Sequence, residues 1–368
     1  MPFKFDTVSS LSRSMSPTPL IVTVLLTTAW FAEPVRAGKP PIGHPIRYLS
    51  QELQAKFADC SIPASMTDIQ AMANASEKEA VLAATVFGDS HYFAVESRKR
   101  HQYFDSLSRW TSERKTRLDQ ILKARSYYLT DLKQGNARTA FPKLLLLLQS
   151  AENVLGQESY LFGQLQYAVA CQFHFNNETR RARTAASHYA NAMSAFFGSK
   201  SMHHRDALLL QSLIEAADRQ FLEAWGYHEA AETISTRLTK SSKDLPTLAV
   251  ASVISLREGK ISQFQMLAKN LAAIMKEHGE GEPVDGESSA DLNNVLCVSE
   301  TLSSNTYLSD SLVVLDDLIR QAESTNNTST SAVAMKKYYG YQALLLYKLG
   351  RLKEAQASIK RSSAIQPK

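Results

Sequence analysis

The sequence predicts an all-α chain whose antiparallel helix pairs stack side by side as an α-solenoid. Three observations carry this expectation. Only 14 Gly and 12 Pro occur in 368 residues, below the roughly 7% and 5% usual in soluble proteins, so helix-breaking positions are scarce. Apolar residues recur at intervals of three and four, as in Leu208, Leu209, Leu213, Ala216 and Phe221 or Leu312, Leu315, Leu318 and Ile319, and period-two alternation is nowhere sustained. Residues 338–368 read as helix, tight turn and helix: Ala343, Leu344, Leu346 and Tyr347 lead to Leu349-Gly350-Arg351, and Leu352, Ala355, Ile359 and Ala364 stop at Pro367.

The chain opens with an export pattern. Residues 20–32 (LIVTVLLTTAWFA) are apolar or weakly polar, preceded by Lys4 and Arg13 and followed by Glu33-Pro34-Val35-Arg36-Ala37-Gly38. Val35 and Ala37 are the small residues a signal peptidase requires, which predicts a signal peptide over 1–37 cut between Ala37 and Gly38. A helix of that apolar length rises about 20 Å against a hydrocarbon core of roughly 30 Å, so spanning is not expected. An uncleaved anchor and a mitochondrial presequence are the competing readings; Asp6 and the long uncharged core weigh against the second. The expected location is periplasm, cell envelope or extracellular space, with membrane contact only through the signal if it stays uncleaved. Residues 141–148, broken by Pro142 and Lys143, read as a buried helix face instead of a span.

Residues 38–45 follow as an extended spacer, because Pro40, Pro41 and Pro45 block helix. Residues 46–135 read as an N-terminal helical region with N-caps at Thr67-Asp68 and at Ser76, where Glu79 completes a capping box. Residues 136–277 read as helix pairs, with Asn177 as a further cap. In them Gly226 separates 207–225 from 227–238, with Ala231 five residues on, and Gly259 separates 248–256 from 261–275. A left-handed turn costs glycine nothing. The two glycines lie 33 residues apart, and Gly156 lies 70 residues before Gly226. Residues 278–290, acidic and rich in Gly, read as a surface loop. Asp291 caps the next helix, and residues 291–368 hold C-terminal helix pairs joined across the Ser/Thr/Asn-rich stretch 323–331.

The last pair is the most explicit. Ala343 and Ala355 supply small residues where two helix backbones cross, Gly350 serves the turn, and Lys348 and Arg351 place cations near a helix end of partial negative charge. Residues 336–368 thereby resemble one tetratricopeptide repeat. Tyr339 stands at its fourth place, Ala343 at the eighth, Gly350 at the fifteenth, Ala355 at the twentieth, Ile359 at the twenty-fourth and Pro367 at the thirty-second. Gln342 departs from it at the seventh place and Ser362 at the twenty-seventh. The upstream pairs keep a spacing near the family's 34 residues but match its pattern poorly, with Arg219 where a small residue is expected and Phe264 at the Ala position after Gly259. One repeat cannot bury its apolar face alone, so neighbours are required. The resemblance implies a concave surface, lined by the first helices of successive pairs, that binds a protein or peptide. Its groove-facing places fall on Lys337, Gly340, Leu344, Tyr347 and Lys348, the lysines pairing with carboxylates and Tyr347 stacking or hydrogen-bonding.

Other chemistry is thin. The formal charge is +5, or +4 once residues 1–37 remove Lys4, Arg13 and Arg36 against Asp6 and Glu33; nucleic-acid binding would need that excess gathered on one face. Arg98-Lys99-Arg100-His101 and Arg180-Arg181 with Arg183 read as solvated helix faces. Cys60, Cys171 and Cys297 lie too far apart for a disulfide framework or zinc knuckle, although one bridge could form. Cys171 and His174 share a helix face without a second ligand pair, and read as a buried thiol beside a partly exposed imidazole. Asp316-Asp317 point about 100° apart and cannot flank a scissile bond together. The expectation is an exported, non-catalytic scaffold with no cofactor and no metal. The competing reading is a carbohydrate-active enzyme built on an α/α toroid, for which Trp110 and Trp225, the tryptophans outside the signal, supply little sugar-stacking surface.

Overall fold

The computed structural model describes residues 40–62, 66–133, 137–239, 244–279, 289–324 and 329–365. Among these residues a 3₁₀ turn at Pro45–Tyr48 leads into fifteen α-helices: α1 (Gln51–Cys60), α2 (Ile69–Phe87), α3 (Tyr92–Ser108), α4 (Ser112–Lys133), α5 (Ala137–Leu155), α6 (Tyr160–Phe175), α7 (Thr179–Phe197), α8 (Met202–Ala217), α9 (Phe221–Thr239), α10 (Leu245–Glu258), α11 (Ile261–Glu277), α12 (Ser289–Ser304), α13 (Leu308–Ser324), α14 (Ser329–Lys348) and α15 (Leu352–Ala364). Among the described residues there is no strand, and no helix is long and apolar enough to cross a membrane.

Local sequence sets many helix ends. The Asp68 carboxylate accepts the N–H groups of Gln70 and Ala71 at 2.8 and 3.2 Å, Ser159 and Ser201 cap α6 and α8, and Asp244 caps α10, whose Pro246 sits where a missing N–H costs nothing. Gly259 (φ 82°) and Gly350 (φ 71°) take the left-handed turn within their pairs. From α2 onward consecutive helices pack as α2/α3, α4/α5, α6/α7, α8/α9, α10/α11, α12/α13 and α14/α15. Successive pairs are joined partly through their first helices, with α8 against α10 and α10 against α12. Neighbouring pairs packed in series are consistent with an all-α solenoid.

α6 crosses α7 closely. A Cβ built at Gly163 would lie 2.9 Å from Ala192 Cβ and 2.5 Å from Met193 Cε. Only a residue without a side chain lets those backbones meet.

The series then curls on itself. α6 touches α13, with the Tyr167 hydroxyl bonded to Thr306 and His174 Nε2 lying 3.1 Å from Asp310 Oδ2. Consequently α8 is buried from Arg205 to Ala216 without interruption, and α10 is buried over most of its length. A helix covered on all sides shows little amphipathic contrast, since no face meets water. One apolar cluster runs from α2 through α15, and a smaller one of Ile46, Phe57, Ala83, Phe93 and Ala94 fastens the N-terminal turn and α1 to α2 and α3.

Several local expectations need correction. Gly226 lies inside α9 on its exposed side; the turn after α8 is made by Arg219 at φ 61°. That conformation is costly for a residue with a Cβ, so composition pointed to the nearest glycine instead. Gly156 joins two pairs and does not divide one. Ser76 is a buried mid-helix residue whose hydroxyl donates to the Ala73 carbonyl at 2.8 Å, and Glu79 pairs with Arg100 at 2.6 Å instead of closing a capping box. Asn177 is itself the left-handed turn residue (φ 60°), leaving α7 without a side-chain cap. Asp291 falls within α12. The buried face expected at 141–148 is present, with Leu144 and Leu147 in the core and Phe141 and Leu148 packed against it, while Leu146 is 68% exposed. Ile359 and Leu352 of α15 are exposed because no further helix among the described residues covers them. The signal with its cut at Ala37-Gly38, and most of the acidic loop, lie outside the described residues.

In the basic clusters Arg98, Arg180 and Arg181 are exposed as expected, and other cations are engaged across helices. Lys99 Nζ donates to the Phe197 carbonyl at 2.9 Å, at the negative end of α7, and Arg98 pairs with Asp89 at 2.7 Å. Arg183 grips Glu215 and Asp218 at 2.6 and 2.8 Å.

Two glycine substitutions should separate these geometries. Gly163→Ala is expected to lower stability by about 1–3 kcal/mol through overpacking. Gly226→Ala, where a Cβ meets nothing within 4 Å, is expected to raise it by roughly 0.5–1 kcal/mol. Urea unfolding of both variants measures the difference in sign.

Candidate functional site

The N-termini of α6, α8 and α10 lie on one side of the curl, and the chain's own residues 40–49 run across them. The predicted spacer is therefore a packed element. Pro40, Ile42 and Ile46 are buried, and burial of each Ile contributes about 1.5–3 kcal/mol. The Ile42 N–H donates to Ser304 Oγ at 3.4 Å, and Asn305 Nδ2 donates to the Ile42 carbonyl at 3.5 Å. A Cβ at Gly43 would lie 3.0 Å from Pro246 Cδ, so the backbone there presses on the first turn of α10. His44 meets Phe93 edge-on at 5.2 Å, and Tyr48 lies 4.5 Å from the His278 ring. Extended backbone at His44 and Leu49, with Pro41 and Pro45 restricting the chain, completes the strap.

Under the strap lies a cavity lined by Glu96, Arg205 and Asp206. Its wall is charged. Arg205 pairs with Asp206 at 2.7 Å and with Asp244, and the Glu96 carboxylate accepts the Met202 N–H at 2.7 Å, seating an anion on the N-terminus of α8. Burial pushes the Glu96 carboxyl up to about 7, against the lowering effect of that backbone bond and of Arg100 and Arg205. Burial, with Arg100 and Arg205 adding repulsion, pulls His44 down to about 3. The strap thus presents a neutral imidazole to a site whose cations are already matched.

A second cavity opens at the C-terminal end of α6. Tyr128, Tyr167, Cys171, Leu308 and Leu349 wall it, and Lys348 enters from the end of α14. Below it Asp310, fully buried, joins three helices: Arg257 of α10 donates to Oδ1 at 2.7 Å and His174 of α6 faces Oδ2 at 3.1 Å. Burial alone would raise the Asp310 carboxyl, but His174 and Arg257 hold it below the ordinary value. Cys171 lies in this wall as a thiol pushed up to about 12 by burial. His174 is the more buried of the two, the reverse of the sequence expectation, because it is clamped on Asp310.

Of the five groove-facing places carried over from the repeat, Lys348 alone lines a cavity. Leu344 is partly buried, Lys337 and Tyr347 are exposed, and Gly340 has open space around it. The two departures from the repeat pattern have partners: Gln342 donates to Asp316 and accepts from Ser358, both at 2.6 Å, and the Ser362 hydroxyl donates to the Lys336 carbonyl at 3.0 Å. Glu96, Arg205, Asp206 and Asp310 were not singled out from sequence, because each is an ordinary charged residue until distant helices meet around it. Cys60, Cys171 and Cys297 are unbridged thiols. Among the described residues no group of three His, Cys, Asp or Glu side chains could hold a metal ion.

No protein-family model matches this chain. No curated protein matches it either.

Glu96 makes a testable contribution to pH dependence. A carboxyl raised to about 7 in the fold, from an ordinary value near 4.5, favours the native state while protonated and loses that advantage as pH rises from 4.5 through 7. Glu96→Gln is therefore expected to gain stability relative to the parent between pH 5 and pH 8. Denaturant midpoints at both pH values measure the gain.

Proposed function

We propose that the protein is an exported, non-catalytic scaffold of the tetratricopeptide type, which binds a short, proline-containing segment of a protein partner. The binding place is the row of helix N-termini of α6, α8 and α10. The observation that supports this reading is the strap: residues 40–49 already lie there, bent at 42–43 and again through the 3₁₀ turn Pro45–Tyr48, with Ile42 and Ile46 buried and the Ile42 backbone held by Ser304 and Asn305. Prolines limit the disorder such a segment loses on docking, and aliphatic anchors in pockets with backbone hydrogen bonds beside them are how grooves read short peptides. A partner segment of similar chemistry would take the place by displacing the strap. Export fits the same picture, since a cut after Ala37 leaves a new terminus two residues ahead of the buried Pro40.

The carbohydrate-active alternative keeps one supporting observation. Glu96 and Asp206 line the strap cavity together with Tyr92 and Tyr160, the residue types that acid chemistry on sugars employs. Its acids are engaged, however, by Arg205 and by the α8 N-terminus.

The test uses the full-length protein with Ile42→Ser and Ile46→Ser, which loosens the strap, and a fluorescent peptide of residues 40–49. Saturable binding to the variant, with at least tenfold weaker binding to the parent, is the expected result. A folded variant that ignores the peptide overturns the proposal, and glycan hydrolysis by the loosened variant would favour the enzyme.

A further inference from the structure

The peptide reading leaves the cavity at the end of α6 without a role. Its wall is mostly aromatic and aliphatic, and the charge within it is unbalanced. Lys348 has no carboxylate within ion-pair distance among the described residues, and the acid in the wall, Asp310, is already held by Arg257 at 2.7 Å and His174 at 3.1 Å. The Tyr167 hydroxyl is likewise engaged, with Thr306 and the Asn305 carbonyl. An ammonium facing an apolar cavity without a counter-ion is costly, and a carboxylate entering with an apolar body would satisfy both the charge and the wall.

We propose that this cavity binds a small organic anion, a carboxylate carrying an aromatic or aliphatic body, with Lys348 as its counter-ion.

The surroundings make the proposal specific in pH. Burial pulls the empty-site Lys348 amine down to about 7, so an anion binds best where that amine is protonated and draws a proton in as it binds. The other titratable groups facing the cavity are Tyr128 of α4, Tyr167, Cys171 and His174 of α6, and Tyr307 and Asp310 at the start of α13. Burial raises the tyrosines and the thiol away from neutrality, and Asp310 is held below its ordinary range. His174 is engaged by Asp310 at 3.1 Å.

Benzoate and acetate serve as probes for titration calorimetry on the full-length protein at pH 6 and pH 8, in buffers of different ionisation enthalpy. Benzoate is expected to bind saturably, more tightly than acetate, with proton uptake near pH 7 and about tenfold weaker affinity at pH 8 than at pH 6. That factor is the loss of protonated amine around a pKa of about 7. Lys348→Met should abolish binding, and Lys348→Arg should retain it while flattening the pH dependence. Melting curves confirm that both variants fold; Lys348 ends its helix and is only partly buried, so neither disturbs the core. Benzoate binding that survives Lys348→Met, or no saturable binding to the parent, overturns the proposal. So does a pH slope that persists in Lys348→Arg, because it would not belong to the Lys348 amine. Borohydride trapping of benzaldehyde on Lys348 without benzoate binding would mark a carbonyl site and equally overturn it.

Discussion

The arrangement depends on one buried contact between helices far apart in sequence. Asp310, at the start of α13, takes Arg257 from α10 and His174 from α6. A carboxylate removed from water is tolerable only when its partners remain in place, so this junction specifies which elements meet as much as it stabilises them. With α6 held on α13, the first helices between them are covered on both sides. The inner face that a more open array would leave concave becomes core.

Both cavities follow from that closure. One is left where the N-termini of α6, α8 and α10 align, and the strap fills most of its mouth. The other is left at the far end of α6, where the last residue of α14 points in. The aligned N-termini explain why carboxylates gather at the first: Glu96 and Asp244 accept first-turn N–H groups, and their presence draws Arg205 between Asp206 and Asp244. The second is less balanced, with a cation and little to answer it.

The helical class and the serial pairing were legible in the sequence, because they rest on periodicity and on few breakers, which are local. Gly259 and Gly350 were readable as turns for the same reason. Gly226 and Arg219 show the limit: turn position was set by where α8 ends against its neighbours, which forced a left-handed arginine and left the glycine inside α9. The strap read as a spacer because prolines announce extended chain but not what covers it. Lys348 was singled out for a groove, and it does line a cavity, yet the cavity is made by α4, α6 and the turn before α13, more than a hundred residues upstream in part. No local pattern encodes that encounter. Gly163 went unremarked, since nothing near it in sequence signals that α7 passes so closely.

Small-angle X-ray scattering on the chain from residue 38 onward tests the closure most directly. With α6 on α13 the particle should approach the compact-domain scaling, a radius of gyration of about 20 Å for a chain of this size. A markedly larger radius with the long-tailed distance distribution of an open superhelix would contradict the account, because α6 and α13 could not then be in contact.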